Sequence, residues 1–390
     1  EKPFEGINGS GKHNNWSIST NTGVNLLEPG DSPKENAQFL LFLTAVIKAV
    51  DEYQDLLRVA VASAGNDHRL GANEAPPAIV SMFLGDELTE ILKSIENGTP
   101  YSQRDAEVMK VGVHILPRFP KDTTDRNRTS PFAFTGNKFE FRMLGSDLSI
   151  AGPNIILNTI VAEELCQFAD QLEGAEHFEE ALQELIRKTI SEHKRIIFNG
   201  NNYSEEWVAE AEKRGLMNLR TTADALPSFI AEKNLALFTK HKIFTTAELH
   251  SRYEILMEVY CKKLHIEAAT MVDMVHRQIL PAIARYSCDL TRTALEKRQL
   301  SSDIPCDFEL GTVKELSEQA SRLRSSVVEL EDDLLTAEEF PGVTERAAHY
   351  RDVVLSDMAK VREAADGAEV VTAKAYWPFP DYTDLLYSVM

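Results

Sequence analysis

The sequence predicts an α+β protein, in which short strands and long helices occupy different parts of the chain. Two stretches with alternating polar and apolar residues, His13–Ser19 and Lys138–Met143, are typical of strands. From Asn154 to about Arg298 the apolar residues instead recur at helical spacing. The chain has 390 residues, so one large domain with a long appendage, or two domains, is expected.

Composition and charge exclude several classes of protein. Hydrophobic residues make up 43% and charged residues 26%, which is ordinary for a chain that folds. The formal net charge of −20 argues against nucleic acid or an anionic membrane as the main partner, because both require a concentrated positive surface. No apolar run reaches the length of a membrane span, and the four cysteines form no C-x-x-C pair. A reducing cytoplasm is therefore the expected location.

The first helix is expected soon after residue 30. Ser32, Pro33 and Glu35 supply an N-cap, a first-turn proline and a capping-box partner. Apolar residues at helical spacing follow over Phe39–Val50. The pair Gly65-Asn66 is expected to end this helix.

A helical hairpin is predicted near the C-terminus. Two helical stretches lie between Thr312 and Gly367, separated by a break at Phe340–Gly342. The following segment, Tyr376–Tyr387, is aromatic and contains prolines that interrupt a helix. We expect this tail to dock on the protein.

The segment from Gly6 to His13 matches a phosphate-binding P-loop only in part. Its sequence places His13 where a P-loop requires Ser or Thr to bind magnesium. A P-loop also leads into a helix, whereas the residues after His13 alternate as in a strand. We therefore interpret the segment as a loop that enters a strand.

On that strand His13, Asn15 and Ser17 share one face, because side chains alternate with a period of two. An imidazole in this position can bind a divalent metal, and the amide and hydroxyl can approach phosphate oxygens. A half-exposed edge strand would show the same pattern, so this segment alone leaves both interpretations open.

Lys138, Glu140 and Arg142 share the polar face of the second strand, and the residues between them are apolar. In a cleft this face offers a carboxylate ligand for a metal between two cations that can hold anions. On a solvent-exposed surface it would be a simple charge ladder.

Two polar loops carry further candidates. The loop His68–Pro77 combines Arg69 and Glu74 with backbone constraints from glycine and proline. The loop Asp125–Pro131 contains Arg128, whose guanidinium group can hold a phosphate or a carboxylate. Surface turns use the same residues, so each loop by itself is a weak indication.

Together and in this order, these segments resemble glutamine synthetase, and most closely its type III group. The resemblance is carried by four motifs: Asn8-Gly9-Ser10-Gly11-x-His13, Arg69 with Glu74-Ala75-Pro76, Asn127-Arg128, and Glu140-x-Arg142. It implies that residues 1–300 form the C-terminal part of the catalytic domain, a glutamine synthetase/guanido kinase-like domain with an antiparallel sheet. Residues 301–390 would form a helical hairpin extension and an aromatic tail.

The resemblance implies an enzyme of glutamine biosynthesis and nitrogen metabolism. Such a ligase joins ammonia to glutamate through γ-glutamyl phosphate, with ATP as a substrate and Mg²⁺ or Mn²⁺ as the cofactor. The family also implies a homo-oligomer, a dodecamer of two hexameric rings. A γ-glutamyl ligase acting on a larger amine and a non-catalytic assembly protein of the same fold remain alternatives.

The resemblance further implies a role for each motif residue. His13 and Glu140 would hold the metal. Glutamate would be bound by four residues: Asn8, Gly9, Arg69 and Arg142. The nucleotide and its phosphates would face Asn15, Ser17, Arg128 and Lys138. Glu74 and Arg128 would be catalytic, with Glu74 taking a proton from ammonium.

The sequence departs from the family at several positions. Asn15 stands where many relatives have His, and Lys138 stands where they have Arg. Ala133 replaces a second arginine of type I enzymes, for which Arg126 could compensate. The family's other metal-binding glutamates and its small N-terminal domain precede the segment that resembles Gly6–His13. We therefore expect the 390 residues alone to lack synthetase activity.

Overall fold

The computed structural model describes residues 11–72, 75–99 and 127–387. Within these ranges four strands form one sheet: β1 (Gly11–Trp16), β2 (Met82–Phe83), β3 (Phe132–Phe134) and β4 (Phe139–Gly145). The helices are α1 (Ala37–Glu52), α2 (Gln54–Val59), α3 (Ala64–Arg69), α4 (Asp86–Asn97), α5 (Ala151–Leu172), α6 (Phe178–His193), α7 (Glu205–Lys213), α8 (Thr222–Ala225), α9 (Glu232–Lys240), α10 (Thr246–Met274), α11 (Leu280–Leu300), α12 (Asp307–Glu339), α13 (Val343–His349), α14 (Leu355–Val371) and α15 (Tyr382–Tyr387). The predicted α+β class is confirmed.

The chain divides into two compact units, residues 1–253 and 254–390. The sheet and α1 to α9 belong to the first unit, and the division falls within α10. The predicted domain boundary at residue 300 lies at the end of α11 in the second unit and stays a prediction. None of the described helices is both long and apolar enough to cross a bilayer.

The sheet has the strand order β1-β4-β3-β2. β4 pairs antiparallel with both β1 and β3, whereas the short β2 runs parallel to β3. The sheet is therefore mixed, and not wholly antiparallel as the sequence predicted. Phe132 of β3 stacks on Phe139 of β4 with ring centroids 4.6 Å apart, and both side chains are fully buried. Aromatic side chains on one face therefore fix the sheet to the core and leave the other face for polar residues.

The pairing of β1 with β4 contains one irregularity. Asn15 lies opposite Glu140 and Asn14 opposite Phe141, but Lys12 lies opposite Leu144. Between these pairs β4 therefore contributes one residue more than β1, which is the arrangement of a β-bulge.

The first helix differs from its prediction at both ends. Asn36 caps α1, because its side-chain oxygen accepts a hydrogen bond from the Phe39 amide at 3.0 Å. Ser32 instead closes a turn through its carbonyl group. α1 ends at Glu52, and Gly65 lies inside α3. The end of α1 could not be predicted from the sequence pattern, because buried apolar residues continue through α2.

The predicted hairpin of the second unit is present as α12, α13 and α14. Leu316, Leu323, Leu330 and Ala337 of α12 are buried at intervals of seven residues, the spacing with which two helices pack along a seam. α12 packs against both α11 and α14. Phe340 follows α12 directly, at the break that the sequence predicted.

Tyr376, the first residue of the aromatic tail, docks on α11, as expected, whereas Leu385, Leu386 and Tyr387 at the end of the tail are exposed. The Tyr376 hydroxyl donates a 2.6 Å hydrogen bond to Asp289, and the Tyr376 ring lies 4.8 Å from the ring of Tyr286. The contact gives the phenol a charged acceptor and an aromatic neighbour at once.

Candidate functional site

Alternation along β1 separates a polar face from a buried face. His13 and Asn15 are exposed, whereas Asn14 and Trp16 are buried. The alternation predicted for this strand is therefore confirmed, although the strand ends at Trp16 and Ser17 lies just beyond it.

Two asparagines of α5 hold the buried face of β1. Asn14 donates a 2.8 Å hydrogen bond to Asn154, and the Trp16 indole donates a 2.9 Å hydrogen bond to Asn158. Sequence reasoning missed this pair of acceptors. Their spacing of four residues puts both amides on one face of a helix, and that spacing was the available signal.

Glu140 is held between an imidazole and a guanidinium group. One carboxylate oxygen, Oε1, lies 2.8 Å from His13 Nδ1. The other, Oε2, accepts hydrogen bonds from Arg142 Nε at 3.0 Å and Nη2 at 2.5 Å. The Arg142 guanidinium also donates a hydrogen bond to the carbonyl of Asn127. β1, β4 and the segment before β3 thus meet at this carboxylate.

The environment keeps Glu140 ionised. Partial burial by itself would raise the pKa of Glu140, but the hydrogen bonds and charge of Arg142, together with His13, lower that pKa below its ordinary value. The carboxylate is therefore negative at neutral pH, as a ligand for a divalent cation must be.

The pair His13 and Glu140 fits a shared divalent ion. Two neighbouring ligands of an octahedral ion lie roughly 3 Å apart, and the His13 nitrogen and the Glu140 oxygen are 2.8 Å apart. The His13 side chain is 54% exposed, so the site is open to solvent on one side. Within the described ranges no third His, Cys, Asp or Glu completes a cluster. The pair can therefore supply two ligands of such an ion.

Arg69 lies behind the polar face and is 7% exposed. Its guanidinium donates hydrogen bonds to the carbonyl of Met143 at 3.2 Å and to the carbonyl of Arg142 at 3.1 Å. It also passes close to Gly11, where a Cβ atom would lie 2.3 Å from Nη2. Arg69 therefore stabilises β4 at the irregular pairing, and its predicted contact with a glutamate carboxylate stays a prediction.

Asn127 anchors the arginine motif beside the site. Its side chain donates hydrogen bonds to the carbonyls of Asn199 at 3.2 Å and Gly200 at 2.7 Å. Its carbonyl accepts from Arg142, so the neighbouring Arg128 is attached to the polar face through the main chain. The Arg128 side chain is exposed.

Ser17 joins the turn that leads into β4. Its hydroxyl lies 2.7 Å from the side-chain oxygen of Asn25 and 3.1 Å from the carbonyl of Asn137. Asn25 also donates a 2.7 Å hydrogen bond to that carbonyl. Lys138, the next residue, is partly buried. Sequence reasoning missed Asn25, because an asparagine in a polar loop carries no pattern of its own.

The structure thus brings His13, Glu140 and Arg142 into direct contact, with Asn15 opposite Glu140 in the sheet. Three further candidates, Asn8, Gly9 and Glu74, lie outside the described residues.

The polar face of this α+β fold presents an ionised carboxylate between an imidazole and a guanidinium. Proteins with such a site are suited to bind a metal cation beside anionic groups. Comparison with known proteins makes this more specific. Residues 181–298 match the glutamine synthetase C-terminal domain. The chain is 45% identical over 395 residues to the glutamine synthetase of Butyrivibrio fibrisolvens, with 100% of this chain and 56% of the relative covered.

Two further relatives agree. Identity to the type-3 glutamine synthetase of Dictyostelium discoideum is 43% over 401 residues, covering 99% of this chain and 54% of the relative. Identity to a glutamine synthetase of Bacteroides fragilis (strain YCH46) is 37% over 402 residues, covering 100% of this chain and 55% of the relative. The chain is thus similar along its whole length to glutamine synthetases, as the motifs predicted. It spans about half the length of these relatives.

Proposed function

We propose that the chain is part of an ATP-dependent ligase that forms glutamine from glutamate and ammonia. The observation that carries the proposal is the carboxylate of Glu140 between His13 and Arg142, in a chain whose relatives are glutamine synthetases. The acceptor would be ammonia, and comparing ammonia with larger amines as substrates would distinguish this ligase from a γ-glutamyl-amine ligase.

His13 and Glu140 would hold Mg²⁺ or Mn²⁺, and the bound ion would neutralise charge on the nucleotide phosphates. Arg142 would keep the Glu140 carboxylate ionised and oriented, because it donates two hydrogen bonds to one oxygen of that group. A guanidinium has about five N–H donors, so Arg142 could also bind a carboxylate of glutamate.

The remaining residues would bind the substrates and move protons. Arg128 and Lys138 would face the γ-phosphoryl group, where cations favour the migration of negative charge onto glutamate. Asn15 and Ser17 would contact the nucleotide. Glutamate would be positioned by Asn8, Gly9 and Arg69. Glu74 would accept a proton from ammonium, so that neutral ammonia attacks the acyl phosphate and inorganic phosphate leaves.

The proposal extends to assembly and location. By the family resemblance the active protein would be a dodecamer of two hexameric rings, with active sites between neighbouring subunits. The four cysteines are all unpaired by disulfides, which fits a reducing cytoplasm.

The test is γ-glutamyl transfer from glutamine to hydroxylamine in the presence of Mn²⁺. It should be measured with the 390 residues alone and with the chain extended upstream by its natural reading frame. We expect activity from the extended protein and none from the 390 residues alone. Full-rate turnover by the shorter chain would contradict its proposed inactivity, and an inactive extended protein would contradict the proposed function.

A further inference from the structure

The segment 127–130 carries Arg128, and its main chain is held in place from two sides. The carbonyl of Asn127 accepts a hydrogen bond from the Arg142 guanidinium. The carbonyl of Arg128 accepts a 3.4 Å hydrogen bond from the Tyr203 hydroxyl. The Arg128 side chain itself is exposed. A fixed main chain therefore presents this guanidinium at the surface of the first unit.

The Thr129 hydroxyl is the junction of the hydrogen bonds around this segment. It donates to the side-chain oxygen of Asn127 at 2.6 Å, and it accepts from the main-chain amide of Asn202 at 2.9 Å. The Asn127 oxygen also accepts a 3.0 Å hydrogen bond from the Thr129 amide. One hydroxyl thus ties the residue before Arg128 to a residue that lies 73 positions after Thr129 in the chain.

The support for this hydroxyl is itself buried and anchored. Asn202 is 1% exposed, and its side-chain oxygen accepts a 2.6 Å hydrogen bond from the Ser81 hydroxyl. Three residues earlier, the Asn199 side chain donates a 2.8 Å hydrogen bond to Thr89 of α4. The hydroxyl therefore bonds to a part of the first unit that has a fixed place.

A cation that stabilises a transferring phosphoryl group acts through its position. Such a cation is useful only where negative charge develops, and a displacement of about 1 Å can cost about 100-fold in rate. Arginine has a long side chain with many rotamers, so a fixed main chain removes part of the freedom that the reaction would otherwise have to restrict. The hydrogen bonds of Thr129 supply such a constraint next to Arg128.

We propose that Thr129 is a positioning residue for Arg128 in the transfer of the γ-phosphoryl group. The inference rests on the proposed function, in which Arg128 faces that group. A hydroxyl has a single proton to donate, and the proton of Thr129 is donated to Asn127. The hydroxyl therefore acts through the main chain on either side of Arg128 and not by donating to a substrate.

The test compares Thr129→Val, which removes the hydroxyl at nearly constant shape, with Thr129→Ser, which retains it. Glutamine formation from glutamate, ammonia and ATP is measured with the chain extended upstream by its natural reading frame. Thr129→Val should lower kcat about tenfold or more while the KM for ATP changes less than about threefold, because the lost constraint matters most in the transition state. Thr129→Ser should keep kcat within about threefold of the wild type.

Thr44→Val is the matched control for the loss of a threonine hydroxyl. Thr44 is fully buried in α1, and its hydroxyl donates to the carbonyls of Leu40 and Leu41 in the same helix. This control should keep kcat within about twofold of the wild type. Urea unfolding shows whether each variant is folded. Thr129→Ala removes the same hydroxyl with less bulk and replaces Thr129→Val if that variant does not fold.

A double-mutant cycle with Arg128→Gln decides whether the hydroxyl acts through this arginine. If it does, adding Thr129→Val to Arg128→Gln should lower kcat by less than about a further twofold. The positioning role is overturned if Thr129→Val has the kcat of the wild type, if Thr129→Ser is as slow as Thr129→Val, or if the two losses are fully additive. Inactivity of the extended wild type would instead overturn the proposed function, and this role of Thr129 with it.

Discussion

Glu140 on the sheet face and Glu164 inside α5 each lie 2.5 Å from a cationic nitrogen, of Arg142 and Lys48 respectively. The pKa of Glu140 is nevertheless lowered, whereas the pKa of Glu164 is raised from 4.5 to about 7. Burial is the largest influence on both carboxylates and raises both pKa values. The difference between the two pKa values must therefore come from the charged and hydrogen-bonding groups around each carboxylate.

Glu140 receives directed hydrogen bonds from an arginine and a contact from a histidine. Glu164 is fully buried, and only Lys48 opposes its burial, while the negative charges of Glu52 and Glu163 raise its pKa further. The comparison teaches that distance to a cation does not decide the ionisation of a carboxylate. The number of donors and the surrounding charges decide it.

The adjacent residue Glu163 supports this explanation. Burial raises its pKa too, but hydrogen bonds from Lys240, Gln167 and His241 outweigh burial and lower the pKa to about 2. Two consecutive glutamates of one helix thus have pKa values on opposite sides of the ordinary one, because their side chains point into different surroundings.

The largest effect is expected from Glu140. Glu140→Ala should lower Mn²⁺ affinity by about 100-fold or more, and it should also lower the free energy of unfolding by about 2–4 kcal/mol because Arg142 loses its carboxylate partner in a buried position. Glu140→Gln retains an acceptor for Arg142, so it should lose metal affinity with a smaller loss of stability. Electron paramagnetic resonance of Mn²⁺ and urea unfolding measure the two effects; unchanged Mn²⁺ affinity in both variants would exclude a metal role for Glu140.

Glu164 should make stability decrease as pH rises. Because its folded-state pKa lies above the ordinary 4.5, this group favours the folded state fully below pH 4.5, and the advantage is lost as pH rises to about 7. The shift corresponds to roughly 3 kcal/mol. Urea unfolding of the wild type between pH 4.5 and 8 should show this decrease in the free energy of unfolding. Glu164→Gln should remove it. Parallel pH profiles for the variant and the wild type would refute the raised pKa.

Glu163 should act in the opposite direction and serves as the matched control. Its folded-state pKa of about 2 lies below the ordinary value, so its contribution to stability is present above pH 4.5 and is lost as pH falls towards 2. Because Lys240 is half exposed, solvent screening should reduce the contribution to about 1–2 kcal/mol. Glu163→Gln should therefore destabilise the protein at pH 7 and much less at pH 3. A loss that is equal at both pH values would indicate packing rather than charge.

The smallest change in stability is expected for His13, whose side chain is 54% exposed. His13→Gln should alter the free energy of unfolding by less than about 1 kcal/mol, because a polar contact of a half-exposed side chain contributes little. The same variant should weaken Mn²⁺ binding by about tenfold if the imidazole is a ligand. If His13→Gln bound Mn²⁺ with the wild-type affinity, Glu140 would be a metal ligand and His13 would not.

The polar faces of β1 and β4 could be predicted because strand alternation is a local property. His13 and Glu140 are 127 residues apart, yet each lies on the face that its own segment indicates. The resemblance to a family then indicated that the two faces meet. For the same reason the antiparallel pairing of β4 with its neighbours and the hairpin of α12 to α14 agree with expectation, whereas the parallel pairing of β2 with β3 was not predicted.

Other features depend on contacts that no local pattern contains. The end of α1 at Glu52 is invisible in the apolar spacing, and the burial of Arg69 follows from carbonyl groups of a strand more than 70 residues away. Asn25 and Asn158 have roles only through partners brought near by the fold. Hydrogen bonds of this kind satisfy buried or constrained polar groups, and many sequences could place them differently.

The irregular pairing of β1 with β4 has a further consequence for the length of the polar stripe. In a regular strand Leu144 would follow Glu140 and Arg142 onto the same side, since residues two apart share a face. The additional residue of β4 reverses this phase, so Leu144 lies opposite Lys12 and is fully buried. Deletion of one residue between Arg142 and Leu144 would therefore keep the leucine on the buried side and make the pairing regular. A one-residue slip of the full-length strand would instead turn the leucine towards the solvent and the metal-binding pair.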